Sequence, residues 1–135
     1  MKGILADMNC QLHLEILMHL WQTPKWREIW DSLGLLVPTF DDLGLAHNCP
    51  DALLWQTCQD QRLIFLTANR NDDKPDSLES TIRERNTPTS LPVFTLANAT
   101  RVRNDRDYAQ RVAERLLEYM LDIEKYYGTG RLYVP

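Results

Sequence analysis

Oxygen-bearing side chains stand at three separated places in this chain of 135 residues. Asp7 follows the apolar run 3–6, Asp51 begins a segment with helical spacing, and residues 69–73 follow the apolar run 63–67. Mg²⁺ and Mn²⁺ prefer hard oxygen ligands, and carboxylates supply them. A metal held in this way polarises a phosphate and lowers the pKa of the water molecule that attacks it. The sequence therefore predicts a divalent-metal site wherever these three segments meet.

Each of these side chains also has a simpler interpretation. Asp7 could cap the helix that follows it, which is a frequent role of aspartate. Asp51 could be stabilised only by the positive end of a helix dipole. Thr67 could orient a water molecule or satisfy a backbone group where its strand ends. We expect Asp41 and Asp42 to be loop acids that make local backbone contacts.

Short apolar runs and amphipathic segments alternate along the chain. The runs predict strands over residues 3–6, 35–37, 63–67 and 92–96, and a further edge strand or loosely packed tail over 129–135. Helical spacing predicts helices over residues 12–21, 26–33, 52–61, 78–85 and 109–123, and Asn48 is the expected capping residue of the third. Such alternation favours a parallel sheet covered by helices on both faces. Ligands bind outside the carboxyl ends of such strands, where Asp7 and residues 69–73 lie.

Four motifs follow one another in a fixed order: Ile-Leu-Ala-Asp at 4–7, Asp-Leu-Gly-Leu at 42–45, Asp51, and Ile-Phe-Leu-Thr at 64–67 with Asn-Arg-Asn-Asp at 69–72. In this order and spacing the chain resembles the compact PIN-like domains, which often serve as toxins in bacterial toxin–antitoxin pairs. The resemblance is specific over residues 3–73 and rests only on element order beyond them.

The resemblance implies a single α/β domain over residues 1–135, with the Rossmann-like, PIN-type three-layer fold and a mostly parallel sheet of four to five strands. It also implies a ribonuclease that uses Mg²⁺ or Mn²⁺. Asp7 and Asp51 would hold the metal, Asn69 would contribute a neutral oxygen or contact a ligand, and Asp72 or Asp73 would complete the charge. The expected partners are RNA, a small antitoxin protein and a second copy of the chain.

The chain departs from the family at the loop after the third predicted strand, where Asn69 and Asn71 stand in place of aspartates. An amide oxygen can ligate Mg²⁺, but it is neutral and gives a weaker field than a carboxylate. Two alternatives therefore remain open. One is an active metal nuclease that recruits Asp72 or Asp73, and the other is a weak or inactive module that acts through protein partners.

Basic residues supply candidate contacts to a substrate phosphate. Arg70 could hold a phosphate through its planar fork of donors. Arg101 and Arg103 are further candidates, although the acids among them also fit an ordinary mixed-charge surface. Thr67 is a fourth candidate beside the site. The net charge of −4 argues against nucleic-acid binding over the whole surface, because phosphate contacts need concentrated Lys and Arg.

The cysteines, histidines and tryptophans have structural interpretations. The three cysteines are an odd number in a chain whose start lacks a signal-peptide core, so we expect reduced thiols and a cytoplasmic protein. His13 and His19 are expected at the surface or its boundary. Trp26 and Trp30 are four residues apart, which favours packing over stacking against RNA bases. No apolar run approaches the roughly 20 residues that span a membrane.

Overall fold

The computed structural model describes residues 1–69 and 77–135. The predicted site residues Arg70, Asp72 and Asp73 lie outside this part of the chain. The described residues form a sheet of strands β1 (Gly3–Ala6), β2 (Leu63–Thr67), β3 (Val93–Leu96) and β4 (Arg131–Val134). The strands are paired in that order and every pair is parallel. The predicted parallel α/β sheet is confirmed, and the tail does add an edge strand.

Helices cover both faces of the sheet. They are α1 (Gln11–Trp21), α2 (Arg27–Leu33), α3 (Asp51–Gln61), α4 (Leu78–Arg85), α5 (Ala99–Asn104) and α6 (Arg106–Leu121). One apolar cluster joins α1, α2, α5 and α6 to the face that carries Ile64 and Phe94. A second cluster joins α3 and α4 to the face that carries Phe65 and Val93. Because successive residues of a strand point to opposite faces, both faces need apolar residues. The Rossmann-like three-layer arrangement is therefore confirmed.

The strand predicted over 35–37 is wrong. The segment makes an isolated bridge in which Leu36 pairs with Gly3. Leu36 donates its N–H to Lys2 and accepts from Ile4 through its carbonyl, and Pro38 cannot donate to extend the pairing. The contact is close, since a Cβ atom at Gly3 would collide with the Leu36 carbonyl oxygen. The absence of a side chain at Gly3 therefore permits this isolated bridge, and the pairing does not extend into a strand.

Helix ends depend on caps that the sequence indicated only in part. α4 matches its predicted bounds and is capped by Ser77, whose hydroxyl accepts from the Ser80 N–H at 3.1 Å. α6 begins before its apolar stripe because the Asp105 carboxylate accepts from the Tyr108 N–H at 3.1 Å. The capping role expected of Asn48 is wrong, since Pro50 holds the cap position of α3 and no side chain caps it.

The tryptophans pack in the core, as predicted. Trp21 stacks on Trp30 with ring centroids 4.7 Å apart. The Trp21 indole N–H donates to the Ala113 carbonyl at 2.9 Å, which satisfies its one polar group. Trp26 and Trp55 are also buried. These rings therefore present almost no surface on which an RNA base could stack.

His13 is buried, so its predicted place at the surface or boundary is wrong. Its Nε2 lies 3.1 Å from the Ala99 carbonyl, which joins α1 to the start of α5. Burial lowers the pKa of His13, because the charged imidazolium loses its hydration. His19, in the same helix, is exposed as predicted.

The thiols are reduced, as predicted. Cys10, Cys49 and Cys58 are free, and Cys10 and Cys58 are buried among apolar side chains. Burial raises the pKa of the Cys58 thiol to about 12, so this residue stays protonated and inert near neutral pH. Among the helices that the structure describes, none is long and apolar enough to cross a lipid bilayer.

Candidate functional site

Four of the predicted site residues lie together at the carboxyl edge of the sheet. Thr67 ends β2 and Asp7 follows β1, and the Asp7 N–H donates to the Leu66 carbonyl at 2.8 Å, which continues the ladder past the end of β1. Asn69 follows β2, and Asp51 is the first residue of α3. The parallel topology brings β1 and β2 to the same edge, and α3 packs against the face on which Asp7 and Thr67 lie.

Three hydrogen bonds join these side chains into one chain of contacts. The Thr67 hydroxyl donates to Asp7 Oδ2 at 3.0 Å. The same hydroxyl accepts from the Asn69 N–H at 3.0 Å. The Asn69 amide Nδ2 then donates to Asp51 Oδ2 at 3.1 Å. Two carboxylates that are 44 positions apart in sequence are thus connected through only two intervening residues.

Asp7 is an acid in an environment that disfavours its charge. Burial raises its pKa, and the negative charge of Asp51 adds to the effect. Hydrogen bonds from Thr67 and from the Met8 N–H, which reaches Asp7 Oδ1 at 2.8 Å, act in the opposite direction. The bond to Met8 gives Asp7 the capping role as well, at the short 3₁₀ turn Met8–Cys10. A cation placed here would offset both burial and repulsion.

Thr67 has no exposed surface, and its hydroxyl contacts both Asp7 and Asn69. A fully buried side chain offers no atom to RNA, so its geometry argues against the predicted contact with substrate. The Thr67 hydroxyl accepts from the Asn69 N–H after the strand end, which agrees with the simpler interpretation, and it also orients the Asp7 carboxylate.

Replacing Thr67 by valine tests this role, because valine keeps the shape and removes the hydroxyl. The Asp7 carboxylate and the Asn69 N–H, which are partly buried, lose the hydroxyl they contact, and we expect a loss of about 1–3 kcal/mol in the free energy of unfolding. The pKa of Asp7 should rise further, since the Thr67 bond lowers it. Chemical denaturation measures the first effect, and NMR titration of the Asp7 carboxyl carbon measures the second.

Thr81→Val is the matched control for that experiment. Thr81 is also buried, but its hydroxyl donates to the Ser77 carbonyl of its own helix at 2.9 Å. This variant should leave the pKa of Asp7 unchanged. Equal Asp7 titration curves in Thr67→Val and in the unmodified chain would show that the hydroxyl does not act on the carboxylate.

Asn69 acts on Asp51 through its side chain. Its Nδ2 donates to the Asp51 carboxylate. Its role at a metal site, as a neutral oxygen ligand or as a contact to a ligand, stays a prediction. Its backbone is held as well, because its N–H donates to Thr67 and its carbonyl accepts from Arg131 Nη1 at 2.7 Å.

Sequence reasoning missed Arg131. Its side chain is 7% exposed, and its Nε donates to Glu79 Oε2 at 3.0 Å. Its Nη1 also donates to Thr95 Oγ1 at 2.6 Å. The available signal was a basic residue at the start of the run Arg-Leu-Tyr-Val, which forms β4, but only the tertiary fold shows that its side chain crosses β3.

Arg101 and Arg103 lie on α5 and do not join this group. The Arg101 guanidinium pairs with Asp105 at 2.9 Å and lies 4.3 Å from the centroid of the Tyr108 ring. Arg103 is exposed and lines a cavity of about 420 Å³ with His13. In the ranges 1–69 and 77–135, neither guanidinium forms an ion pair with Asp7 or Asp51. Their role in binding phosphate stays a prediction.

Asp42 makes the local backbone contact predicted for the loop acids, whereas the Asp41 side chain contacts another side chain, that of His47. Asp42 Oδ2 accepts from the Thr39 N–H at 2.9 Å, and the Thr39 hydroxyl accepts from the Asp42 N–H at 3.0 Å. The hydrogen bond from the Thr39 N–H to the carboxylate is the main cause that lowers the pKa of Asp42. Asp41 lies 3.3 Å from His47 Nε2, and both side chains are exposed.

The described residues include two of the carboxylates on which the predicted metal site depends. Within 1–69 and 77–135, no group of three His, Cys, Asp or Glu side chains is placed to hold one ion. Asp7 and Asp51 provide two carboxylates, and their hard oxygens fit Mg²⁺ or Mn²⁺. The other predicted acids, Asp72 and Asp73, lie outside the described residues. An ion held by Asp7 and Asp51 would therefore need at least one further ligand.

Comparisons with protein-family models, with curated proteins and with solved structures gave no match to this chain. The resemblance to PIN-like domains rests on the quoted motifs.

Proposed function

We propose that this chain is a divalent-metal-dependent ribonuclease of the PIN-like type, in which Asp7 and Asp51 hold Mg²⁺ or Mn²⁺. The observation that supports the proposal most strongly is the chain of hydrogen bonds from Asp7 through Thr67 and Asn69 to Asp51. It joins two acids from separate elements at the edge of the sheet where ligands of such folds bind.

The described residues have distinct tasks in this proposal. Asp7 and Asp51 supply negative charge from two sides. The Thr67 hydroxyl and the Met8 N–H each fix one oxygen of Asp7, and Asn69 fixes one oxygen of Asp51. A carboxylate oxygen has more than one lone pair, so these hydrogen bonds orient the two acids and leave acceptor capacity for a cation. A bound divalent ion would polarise the scissile phosphate and lower the pKa of an attacking water. Asp72 or Asp73 would complete the ligand set, and Arg70, Arg101 and Arg103 would contact phosphates.

The proposal extends to partners and location. RNA is the substrate, a small antitoxin protein and a second copy of the chain are the protein partners, and the compartment is the cytoplasm. These parts derive from the resemblance and from the sequence pattern. The net charge of −4 requires that any RNA contact be local.

A second candidate function is a binding or regulatory module that keeps the fold without effective metal chemistry. The observation that favours it is the Asn69 side chain, which donates to Asp51 and adds no negative charge to the pair. Such a module would act through protein partners. The two candidates differ in how the folded chain responds to divalent cations.

The response to metal is measured by thermal unfolding in increasing Mn²⁺ or Mg²⁺. A ligand that binds only the native state stabilises it by about 2.7 kcal/mol at 100 times its Kd. For a domain of this size that amounts to a rise of about 10 °C in Tm. We expect this rise together with Mn²⁺-dependent cleavage of single-stranded RNA that EDTA abolishes. KCl at equal ionic strength is the control, and an equal Tm in KCl and MnCl₂ would favour the second candidate.

A further inference from the structure

We propose that Arg131 is a positioning residue of the candidate site, which holds the Asn69 backbone so that the Asn69 amide meets Asp51. The catalytic consequence rests on the proposed ribonuclease function, whereas the positioning itself can be tested without metal.

The geometry of Arg131 supports this role. It is the first residue of the edge strand β4, yet its guanidinium crosses β3 and donates from Nη1 to the Asn69 carbonyl at 2.7 Å. The same nitrogen contacts Thr95 Oγ1 at 2.6 Å, and Nε donates to Glu79 at 3.0 Å. Thr95 is paired with Thr67 in the sheet, so the guanidinium lies on the face that carries the site.

Arg131 also connects the two chain segments on either side of residues 70–76. Asn69 directly precedes this range, and Glu79 lies in the first turn of α4, just after it. A single guanidinium contacts both. Arg131 therefore joins Asn69 and Glu79, which lie before and after the range that contains the predicted acids Asp72 and Asp73.

The burial of Arg131 indicates a role beyond general stability. A guanidinium stays charged at any ordinary pH, and a charge that is 7% exposed loses most of its hydration. Its ion-pair partner among the described residues is Glu79, and its Nη2 has no hydrogen-bond partner in that part of the chain. Apolar residues of similar volume often give equal or greater stability than a buried ion pair. The distinct property of arginine here is its rigid fork, which reaches Asn69, Thr95 and Glu79 together.

Loss of the Arg131 guanidinium should affect the surroundings of Asp51 more than those of Asp7. Asn69 is held at its N–H by Thr67 and at its carbonyl by Arg131. Without Arg131 the carbonyl loses this partner, while the Thr67 hydroxyl still contacts both Asn69 and Asp7. The bond from Asn69 to Asp51 should therefore loosen, and the environment of Asp7 should change little.

Arg131→Lys tests the proposal, because lysine keeps the charge and lacks the fork. In the metal-free protein we expect the NMR signals of the Asn69 side-chain amide to move toward those of an exposed asparagine, while the Asp7 carboxyl titrates as before. With metal present, the Kd for Mn²⁺ should rise about 10- to 100-fold, as for other residues that orient a ligand. Arg115→Lys is the control, since Arg115 is an exposed member of a surface ion pair.

Glu79→Gln separates positioning from a purely structural ion pair. It removes the carboxylate that pairs with Nε and leaves Arg131 free to hold the Asn69 carbonyl. We expect the Asn69 amide signals to stay near their original positions. The proposal is overturned if Glu79→Gln reproduces the Arg131→Lys spectrum, or if Arg131→Lys leaves those signals unchanged. Failure of the unmodified chain to bind Mn²⁺ would instead overturn the proposed function, and the metal-free spectra would still decide the role of Arg131.

Discussion

Replacing Asp7 by asparagine should abolish the Mn²⁺-dependent rise in Tm and lower RNA cleavage by at least about 100-fold. Even residues that only orient a ligand alter metal affinity or activity by about 10- to 100-fold, and Asp7 is proposed as a ligand itself. In the absence of metal, the variant should be at least as stable as the unmodified chain at neutral pH. An amide carries no charge to bury, and its oxygen can still accept one of the two hydrogen bonds that Asp7 accepts.

The same substitution has a pH dependence whose sign follows from the raised pKa of Asp7. A carboxyl with a higher pKa in the folded state binds its proton more tightly there than in the unfolded chain. Its ionisation therefore destabilises the native state as the pH rises through the folded pKa. Asparagine does not ionise. The stability advantage of Asp7→Asn without metal should be largest at neutral pH, and it should shrink as acid protonates Asp7.

Urea denaturation at several pH values, with and without Mn²⁺, measures the metal-free stability, its pH dependence and the stabilisation by metal. Asp60→Asn is the matched control, because Asp60 is exposed and lies near the other end of the helix that Asp51 begins. That variant should keep the metal response and the RNA cleavage. A rise in Tm with Mn²⁺ that survives in Asp7→Asn would remove Asp7 from the ligand set, and with it the main support for the proposed nuclease.

The sequence predicted most of the fold because the sheet is buried on both faces. The runs that end at Ala6, Thr67 and Leu96 are apolar without alternation, which is typical of parallel strands. Leu36 shows the limit of this reasoning. Its segment looked like a strand, but whether the neighbouring β1 offers it two hydrogen bonds or a full ladder depends on how closely the two backbones approach at Gly3.

The positions of the candidate site residues could also be predicted in part. The polar residues that end strands and begin α3 marked Asp7, Thr67, Asn69 and Asp51, since parallel strands deliver such residues to one edge. Arg131 could not be found in this way. Its contact with Asn69 spans 62 positions and depends on β4 being the neighbour of β3. No local pattern encodes that order.

Asn69 is one of the two positions, with Asn71, where the chain departs from the PIN-like pattern that it resembles, and Asn69→Asp should change the response to metal most strongly. In the structure Asn69 Nδ2 lies 3.1 Å from Asp51 Oδ2 and donates to it. A carboxylate at position 69 would turn this attraction into repulsion. Without metal we expect a loss of about 1–3 kcal/mol in the free energy of unfolding near neutral pH. Protonation of the pair in acid should reduce this loss.

With metal bound, Asn69→Asp should stabilise the folded chain instead of destabilising it. The attraction between two opposite unit charges about 4 Å apart is about 1 kcal/mol in bulk water and about 4 kcal/mol near a protein surface. A difference of about 1.4 kcal/mol corresponds to a tenfold change in affinity. We therefore expect Asn69→Asp to bind Mn²⁺ about 10-fold more tightly or better, with a larger rise in Tm and faster RNA cleavage. Calorimetric titration gives the affinity directly.

Asn98→Asp is the control for added negative charge, because Asn98 is an exposed helix cap at which aspartate serves equally well. It should leave both the metal-free stability and the Mn²⁺ affinity near their original values. The comparison also separates the two candidate functions. A gain of metal binding in Asn69→Asp, from a chain that binds none, would mean that one amide had disabled an otherwise assembled site. A loss of stability that no concentration of Mn²⁺ recovers would mean that Asp51 and residue 69 do not face a cation, and the proposed site would have to be abandoned.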